Sequence, residues 1–151
     1  MIKAVIFDCD GTLMNTEGRT PTVYAGIPEL LQRLQENEFE LYVWTGRDKP
    51  SLQRFLQQCG LAKYFLDIRC SGDCSPKPHP DGLRQMLDGK LPAQCVVIGD
   101  SWADMKGADN FGAHGIGALW NKSVDPETLK EYGARALVST PALCYDVILS
   151  F

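Results

Sequence analysis

The stretch VIFDCDGTL, from Val5 to Leu13, places two carboxylates directly after a short apolar run. The run has the length and composition of a buried strand, and Asp8 and Asp10 are separated by a single residue. Two carboxylates about 4 Å apart repel each other by roughly 1 kcal/mol in water and by about 4 kcal/mol at an effective dielectric near 20. A fold tolerates such a pair only where a positive group compensates, so this stretch predicts both a strand and the start of a charged site.

Strand-like and helix-like segments alternate along the rest of the chain. The runs FELYVWT, QCVVIGD and RALVST are separated by helix-like stretches such as PELLQRLQEN and WADMKGADNFG. The strands are continuous apolar runs, which is typical of a parallel sheet covered by helices on both faces. Prolines stand where helices are expected to begin, at Pro28, Pro50, Pro80, Pro126 and Pro141. The sequence therefore predicts one α/β domain, residues 1–151, built on a doubly wound parallel sheet.

Composition and charge exclude several classes of protein. Hydrophobic residues make up 44% of the chain and charged residues 23%, and no apolar run approaches the roughly 20 residues that span a bilayer. We therefore expect no membrane association, and the N-terminus lacks a signal-peptide pattern, so we expect a cytoplasmic location. Fifteen basic and nineteen acidic residues give a net charge of −4, which argues against nucleic acid as a partner.

The six cysteines are expected to be reduced thiols, since a chain of this kind without a secretory signal seldom forms disulfides. Cys70 and Cys74 form a C-x-x-x-C pair that would supply half of a zinc site, but His79 is the only histidine nearby. The triplet NKS at 121–123 fits the N-glycosylation pattern, which has no such use in a cytoplasmic chain.

Polar residues follow the ends of four predicted strands. In doubly wound sheets the ligand site lies beyond the carboxyl ends of the strands, so these residues are expected to meet. They are Asp8 and Asp10, then Thr45, Gly46 and Arg47, then Lys77, and finally Asp100 and Asp104. Four carboxylates at one edge would either take up protons or bind a cation, and carboxylate oxygens together with water favour Mg²⁺. A lysine and a threonine beside that ion are suited to phosphoryl oxygens, so the edge predicts phosphoryl transfer.

Four motifs carry a resemblance to a known family. In chain order, DCDGT, WTGR, SPKPHPDG and GDSWAD resemble the motifs of the haloacid dehalogenase superfamily, and together they span almost the whole chain. Dehalogenases of this superfamily lack the second aspartate of the first motif, so Asp10 points to phosphate chemistry. The ATPase pumps carry a lysine where this chain has Cys9, so a pump is excluded. The resemblance implies an Mg²⁺-dependent phosphomonoester hydrolase.

The resemblance also implies a role for each motif residue. Asp8 would be the nucleophile that becomes an aspartyl phosphate, and Asp10 the general acid and base. The expected substrate ligands are Thr45, Gly46, Arg47 and Lys77, of which Thr45 and Lys77 hold the phosphoryl oxygens. The expected metal ligands are Asp8, Asp10 through its backbone carbonyl, Asp100 and Asp104. The last of these would hold a metal-bound water or steady the lysine.

Relatives that act on small metabolites usually carry a cap domain between these motifs. Here the interval from Gly11 to Pro28 has room only for a turn and a short hairpin, and the interval from Thr45 to Lys77 only for one helix and one strand. The chain resembles a capless phosphatase such as histidinol-phosphate phosphatase, although KPHPDG and GDSWADMKGADNFGA are more similar to the phosphoglycolate-phosphatase branch. Without a cap the phosphorylated substrate enters an open site, to be covered by a large substrate or by a neighbouring subunit.

Three alternatives stay open at this point. A signalling receiver domain also gathers aspartates, a threonine, a lysine and Mg²⁺, but it takes phosphate after its third strand, which here ends in RCSGDCSPK. A phosphotransferase would pass the phosphoryl group to an acceptor other than water. A catalytically inactive phosphate-binding module would keep the fold without turnover.

Overall fold

A computed structural model describes residues 1–151, and its centre is a parallel sheet. The strands are β1 (Ala4–Phe7), β2 (Met14–Asn15), β3 (Thr22–Val23), β4 (Glu40–Trp44), β5 (Asp67–Arg69), β6 (Cys95–Gly99), β7 (His114–Ala118) and β8 (Ala136–Val138). Six of them form one sheet in the order β5-β4-β1-β6-β7-β8, and all of its neighbours pair in parallel. The predicted doubly wound parallel sheet is confirmed.

The strand order itself excludes one alternative. Counted along the chain among the six strands of the sheet, the order is 3-2-1-4-5-6. A receiver domain has the order 2-1-3-4-5, because its third strand lies on the other side of the first. The receiver hypothesis is therefore wrong for this chain.

Helices cover both faces of the sheet. They are α1 (Ile27–Glu36), α2 (Lys49–Gln58), α3 (Asp81–Met86), α4 (Trp102–Phe111), α5 (Pro126–Glu131) and α6 (Pro141–Leu149). Alternate residues of β1 point to opposite faces, so Val5 and Phe7 join the apolar cluster under α1, α2 and α6, whereas Ala4 and Ile6 join the cluster under α3 and α4. All four side chains are fully buried, which explains why this strand is a continuous apolar run.

The prolines mark the helix starts as expected. Four of them occupy the first or second position of a helix and one lies directly before α3, and they are Pro28, Pro50, Pro126, Pro141 and, before α3, Pro80. A proline costs little there, because the first N–H groups of a helix have no partner within the helix.

No cap is inserted between the motifs. The segment after β1 forms only the small antiparallel hairpin of β2 and β3, in which Met14 pairs with Val23. The segment between β4 and Lys77 holds α2, a short 3₁₀ turn and β5. None of the helices is long and apolar enough to cross a bilayer. The carboxyl edge of the sheet is therefore left open beside the hairpin.

Candidate active site

The carboxyl ends of the central strands bring the site together at the point where the strand order reverses. The ladder continues one residue past β1, where the Asp8 N–H donates to the Ile98 carbonyl at 3.0 Å. The Thr45 N–H extends β4 in the same way and donates to the Arg69 carbonyl at 2.9 Å. Backbone pairing thus places Asp8 between its neighbouring strands, at the crevice that doubly wound sheets use for ligands.

A tight turn follows the nucleophile candidate. The carbonyl of Cys9 accepts from the N–H groups of Thr12, Leu13 and Met14 at 2.9 to 3.1 Å. Gly11 has a φ of +83°, a region that favours glycine, and a Cβ there would lie 2.0 Å from Oδ2 of Asp100. The glycine therefore lets the first turn approach the aspartate that follows β6.

Lys77 lies between two carboxylates. Its Nζ is 2.9 Å from Oδ1 of Asp8 and 2.6 Å from Oδ1 of Asp104, and the lysine side chain is only 12% exposed. Burial by itself lowers the pKa of this ammonium, but the negative charges of Asp104 and Asp8 outweigh it, so the pKa of Lys77 is raised. The lysine is a fixed positive charge at the edge of the sheet.

Both carboxylate oxygens of Asp104 accept hydrogen bonds. It is fully buried, and its Oδ2 accepts from the Ser101 N–H at 3.1 Å and from the Ser101 hydroxyl at 2.9 Å. The serine hydroxyl in turn accepts from the Asp104 N–H, so the two residues also form a capping box at the start of α4. The same carboxylate therefore contacts the lysine and caps the start of α4.

Three aspartates form a group suited to a divalent cation. A ligand oxygen from each of Asp8, Asp100 and Asp104 lies within 4.8 Å of the others. Burial raises the pKa of Asp8 well above its ordinary value of 3.8, Asp104 and Asp100 add to the effect, and Lys77 only partly opposes it. The carboxylates carry more negative charge than the lysine balances, so the donor set fits a hard cation such as Mg²⁺.

Asp100 is oriented by two neighbours. Its Oδ1 accepts from the Thr12 hydroxyl at 3.2 Å and its Oδ2 from the Asn121 amide at 2.8 Å. The Trp120 indole N–H donates to the Thr12 carbonyl at 2.9 Å. Asn121 is not among the predicted site residues, although it follows β7 by three residues, where the rule that ligand sites lie beyond the carboxyl ends of strands would have placed it.

Asp10 lies on the open side of the crevice and is paired with Arg47. The guanidinium donates from Nε to Oδ1 at 2.7 Å and from Nη2 to Oδ2 at 2.8 Å, and its Nη1 donates to the Ser51 hydroxyl. The Asp10 side chain is 47% exposed, so it stays accessible to solvent. The sequence predicts that Arg47 contacts substrate, and its pairing with Asp10 is not predicted by any motif.

The crevice is polar throughout. A cavity of about 550 Å³ has no hydrophobic residue in its wall, and its lining is Asp8, Asp10, Thr45, Gly46, Arg47, Asp48 and Ser71. The Thr45 hydroxyl accepts from the Arg47 N–H at 3.1 Å, which leaves the hydroxyl proton free to donate. A larger cavity of about 790 Å³ lies at the opposite edge of the sheet, away from the aspartates. Chemistry rather than volume identifies the site.

The cysteine pair lies beside the crevice. Cys70 is buried and Cys74 half-buried, both are free thiols, and burial raises the pKa of Cys70 to about 11. The group of potential metal ligands in the structure is that of the aspartates, and the two thiols join no third ligand.

Comparison with known proteins gives consistent matches. The family model described as haloacid dehalogenase-like hydrolase matches residues 17–118. A phosphoglycolate phosphatase of Vibrio vulnificus is 30% identical over 115 residues, which are 74% of this chain and 50% of that protein. A phosphoglycolate phosphatase of Photobacterium profundum is 27% identical over 128 residues, 82% of this chain and 52% of that protein. The chain thus spans about half the length of these curated relatives.

Solved structures share the fold at low identity. A haloacid dehalogenase-like family hydrolase from Streptococcus pneumoniae superposes with a TM-score of 0.83 at 20% identity, covering 97% of this chain and 98% of that one. A hydrolase from Pseudomonas syringae superposes with a TM-score of 0.84 at 20% identity, covering 99% of each chain. With the family model matching more than half of its residues, this chain belongs to the haloacid dehalogenase-like hydrolase family.

Proposed function

We propose that this chain is a phosphatase that hydrolyses a phosphomonoester through an aspartyl phosphate on Asp8. The observation that carries the proposal is the contact of Lys77 with both Asp8 and Asp104, beside Asp100, where Asp8 also lines a wholly polar crevice. A buried carboxylate that is held by a fixed ammonium and opens onto polar space is suited to attack a phosphoryl group whose oxygens the same ammonium binds.

Mg²⁺ would be held by Asp8, Asp100 and the backbone carbonyl of Asp10, where it would neutralise charge on the phosphoryl group. Asp104 is assigned a different task. Its Oδ2 accepts from both the N–H and the hydroxyl of Ser101, and its Oδ1 contacts the Lys77 ammonium, so we assign Asp104 to hold the lysine in place rather than to ligate the ion.

The chain's own residues then divide the chemistry. A carboxylate oxygen of Asp8 forms a bond to phosphorus as the bond to the leaving oxygen breaks. Asp10, after one of its oxygens has left the Arg47 fork and taken a proton from solvent, gives that proton to the leaving oxygen. In the second half Asp10 takes a proton from water, whose oxygen attacks phosphorus, so that phosphate leaves and the Asp8 carboxylate is restored. Thr45 and Lys77 hold the phosphoryl oxygens through both halves, and Gly46 leaves the backbone free to approach them.

Arg47 serves this scheme by orienting Asp10. Before substrate binds, the two parallel N–H···O bonds of its fork fix the plane of the carboxylate and hold Asp10 at the crevice. The same guanidinium lines the crevice, so it also meets the part of the substrate beyond the phosphate.

The open, polar crevice defines the substrate only by class. We propose a phosphorylated compound whose leaving group is polar, with a large substrate or a neighbouring subunit supplying the cover that a cap would give. Two relatives at 30% and 27% identity are named phosphoglycolate phosphatases, which supports phosphatase chemistry without specifying this chain's substrate.

The six free cysteines support a reducing compartment such as the cytoplasm. We propose that residues 1–151 act as one functional domain.

Hydrolysis is preferred over phosphotransfer because water reaches the exposed Asp10 side chain directly. An inactive module is disfavoured because the nucleophile, the acid and base candidate and the lysine are all present and in contact with suitable partners.

The experiment is a hydrolysis assay with p-nitrophenyl phosphate and Mg²⁺, followed by a panel of phosphorylated metabolites, phosphopeptides and 3′-phosphorylated oligonucleotides. Asp8→Asn should abolish turnover while circular dichroism stays unchanged, and Asp10→Asn should trap phosphate on Asp8. Turnover retained by Asp8→Asn would reject the nucleophile, and a wild-type protein without turnover on any compound would favour the inactive module.

A further inference from the structure

Asn121 belongs to none of the four motifs, yet its side chain contacts Asp100, one of the three aspartates suited to a divalent cation. The residue lies in the loop after β7 and donates from Nδ2 to Oδ2 of Asp100 at 2.8 Å, across 21 residues of chain. We propose that Asn121 is a positioning residue that sets the orientation of the Asp100 carboxylate and thereby the affinity of the site for Mg²⁺. The inference rests on the proposed metal-dependent function and adds a residue to it.

The orientation of the amide itself is determined by the residues that follow it. Its Oδ1 accepts from the Ser123 N–H at 3.2 Å and from the Ser123 hydroxyl at 2.7 Å. With the oxygen engaged in this way, the NH₂ group is the part of the side chain that faces Asp100. The NKS triplet that fits a glycosylation pattern thus has a structural use, which is to aim the Asn121 amide.

Asp100 is held at both of its oxygens. Thr12 donates to Oδ1 at 3.2 Å while Asn121 donates to Oδ2, so the carboxylate plane has two anchors on separate segments. Each oxygen keeps a lone pair for the ion, since one hydrogen bond occupies only one of two. Hydrogen bonds from outside the ligand set commonly orient metal ligands in this way, and losing one typically costs about 10- to 100-fold in affinity.

The turn after β1 is shaped around the same contact. A Cβ on Gly11 would lie 2.0 Å from Oδ2 of Asp100 and 2.8 Å from Nδ2 of Asn121, so the glycine leaves the space that the pair occupies. The neighbouring residue Trp120 donates to the Thr12 carbonyl at 2.9 Å. The loop after β7 therefore supports Asp100 twice, once directly and once through the residue that holds its other oxygen.

The test measures Mg²⁺ binding in the absence of substrate. Thermal unfolding is followed against MgCl₂ concentration, because a ligand that binds only the folded state raises the midpoint according to its dissociation constant. Asn121→Leu keeps the approximate volume and removes the donor, and it should raise the dissociation constant for Mg²⁺ by about tenfold or more. Activity should recover when Mg²⁺ is added in excess, since no group that touches the substrate has changed.

Two further variants make the result specific. Asn37→Leu removes an amide that donates to the Arg33 carbonyl at the end of α1, so it should lower the unfolding midpoint and leave the Mg²⁺ dissociation constant unchanged. Asp100→Asn should abolish the Mg²⁺-dependent rise in the unfolding midpoint, so it shows what the complete loss of binding looks like in this assay. If Asn121→Leu does not fold, Asn121→Ala carries the same test at this half-exposed position.

If the Mg²⁺ dissociation constants of the Asn121 variants lay within about twofold of wild type, the role of Asn121 would be overturned and the proposed metal site would stand. Such a change is far smaller than the loss typical when a residue that orients a metal ligand is removed. A wild-type protein whose midpoint does not respond to Mg²⁺ would overturn the proposed metal site as well, so the two failures are distinguishable.

Discussion

The ion pair between Lys77 and Asp104 offers the most informative perturbation of the site. At 2.6 Å and an effective dielectric near 20 the gross attraction is about 6 kcal/mol, most of which is offset by the cost of removing both charges from water. Removing one partner of a buried pair nevertheless costs about 3 to 5 kcal/mol, because the other charge is left without compensation. Asp104 is fully buried, so solvent cannot replace the lost partner.

Asp104→Asn should therefore lower the free energy of unfolding by about 2 to 4 kcal/mol, somewhat less than a full truncation because the amide still accepts from Ser101 and Lys77 keeps Asp8. The lysine would shift toward Asp8, and kcat should fall by about 100-fold, as expected for a displacement of about 1 Å at a reacting centre.

The assay is a double-mutant cycle in urea, with Asp104→Asn, Lys77→Met and the double variant. The losses of unfolding free energy in the two single variants should add up to about 2 kcal/mol more than the loss in the double variant. The reason is that the second change removes a charge that the first has already left unpaired. Single losses that add within about 0.5 kcal/mol would refute the view that Asp104 acts through the lysine.

Three more outcomes follow from the structure. Arg47→Ala should reduce kcat about tenfold on an alkyl phosphate and less on p-nitrophenyl phosphate, whose leaving group needs little protonation, and equal losses on both would contradict the orienting role. Gly11→Ala should abolish the Mg²⁺-dependent rise in the unfolding midpoint, because the added Cβ would meet Asp100. Gly18→Ala is the matched control and should keep that rise, because Gly18 has a similar φ of +91° but open space around it, so the variant carries the backbone strain without the clash. The raised pKa of Asp8 means that the folded state binds the Asp8 proton more tightly than the unfolded chain does, so the metal-free protein loses stability as pH rises through that pKa. Asp8→Asn should remove this loss, so the variant should unfold at a higher temperature than wild type at neutral pH without Mg²⁺. An unchanged dependence of the unfolding midpoint on pH would count against this account.

Local patterns were sufficient for much of the fold. The continuous apolar run of β1 predicted burial on both faces, and prolines such as Pro50 and Pro141 predicted helix starts, because sterics, missing N–H groups and burial periodicity act over a few residues. Motif residues at strand ends were expected to meet, and Lys77 does contact Asp8 across 69 residues. That expectation needed only the rule that parallel strands end at the same edge.

What the sequence determined by itself is thus the class of the sheet and the set of groups at its carboxyl edge. The partners of those groups depended on the tertiary structure. Arg47 pairs with Asp10 across 37 residues, and Asn121 reaches Asp100 from a loop that no motif marks. Such contacts require the strand order and the loop geometry, which arise from long-range packing and register, so no spacing along the chain announces them.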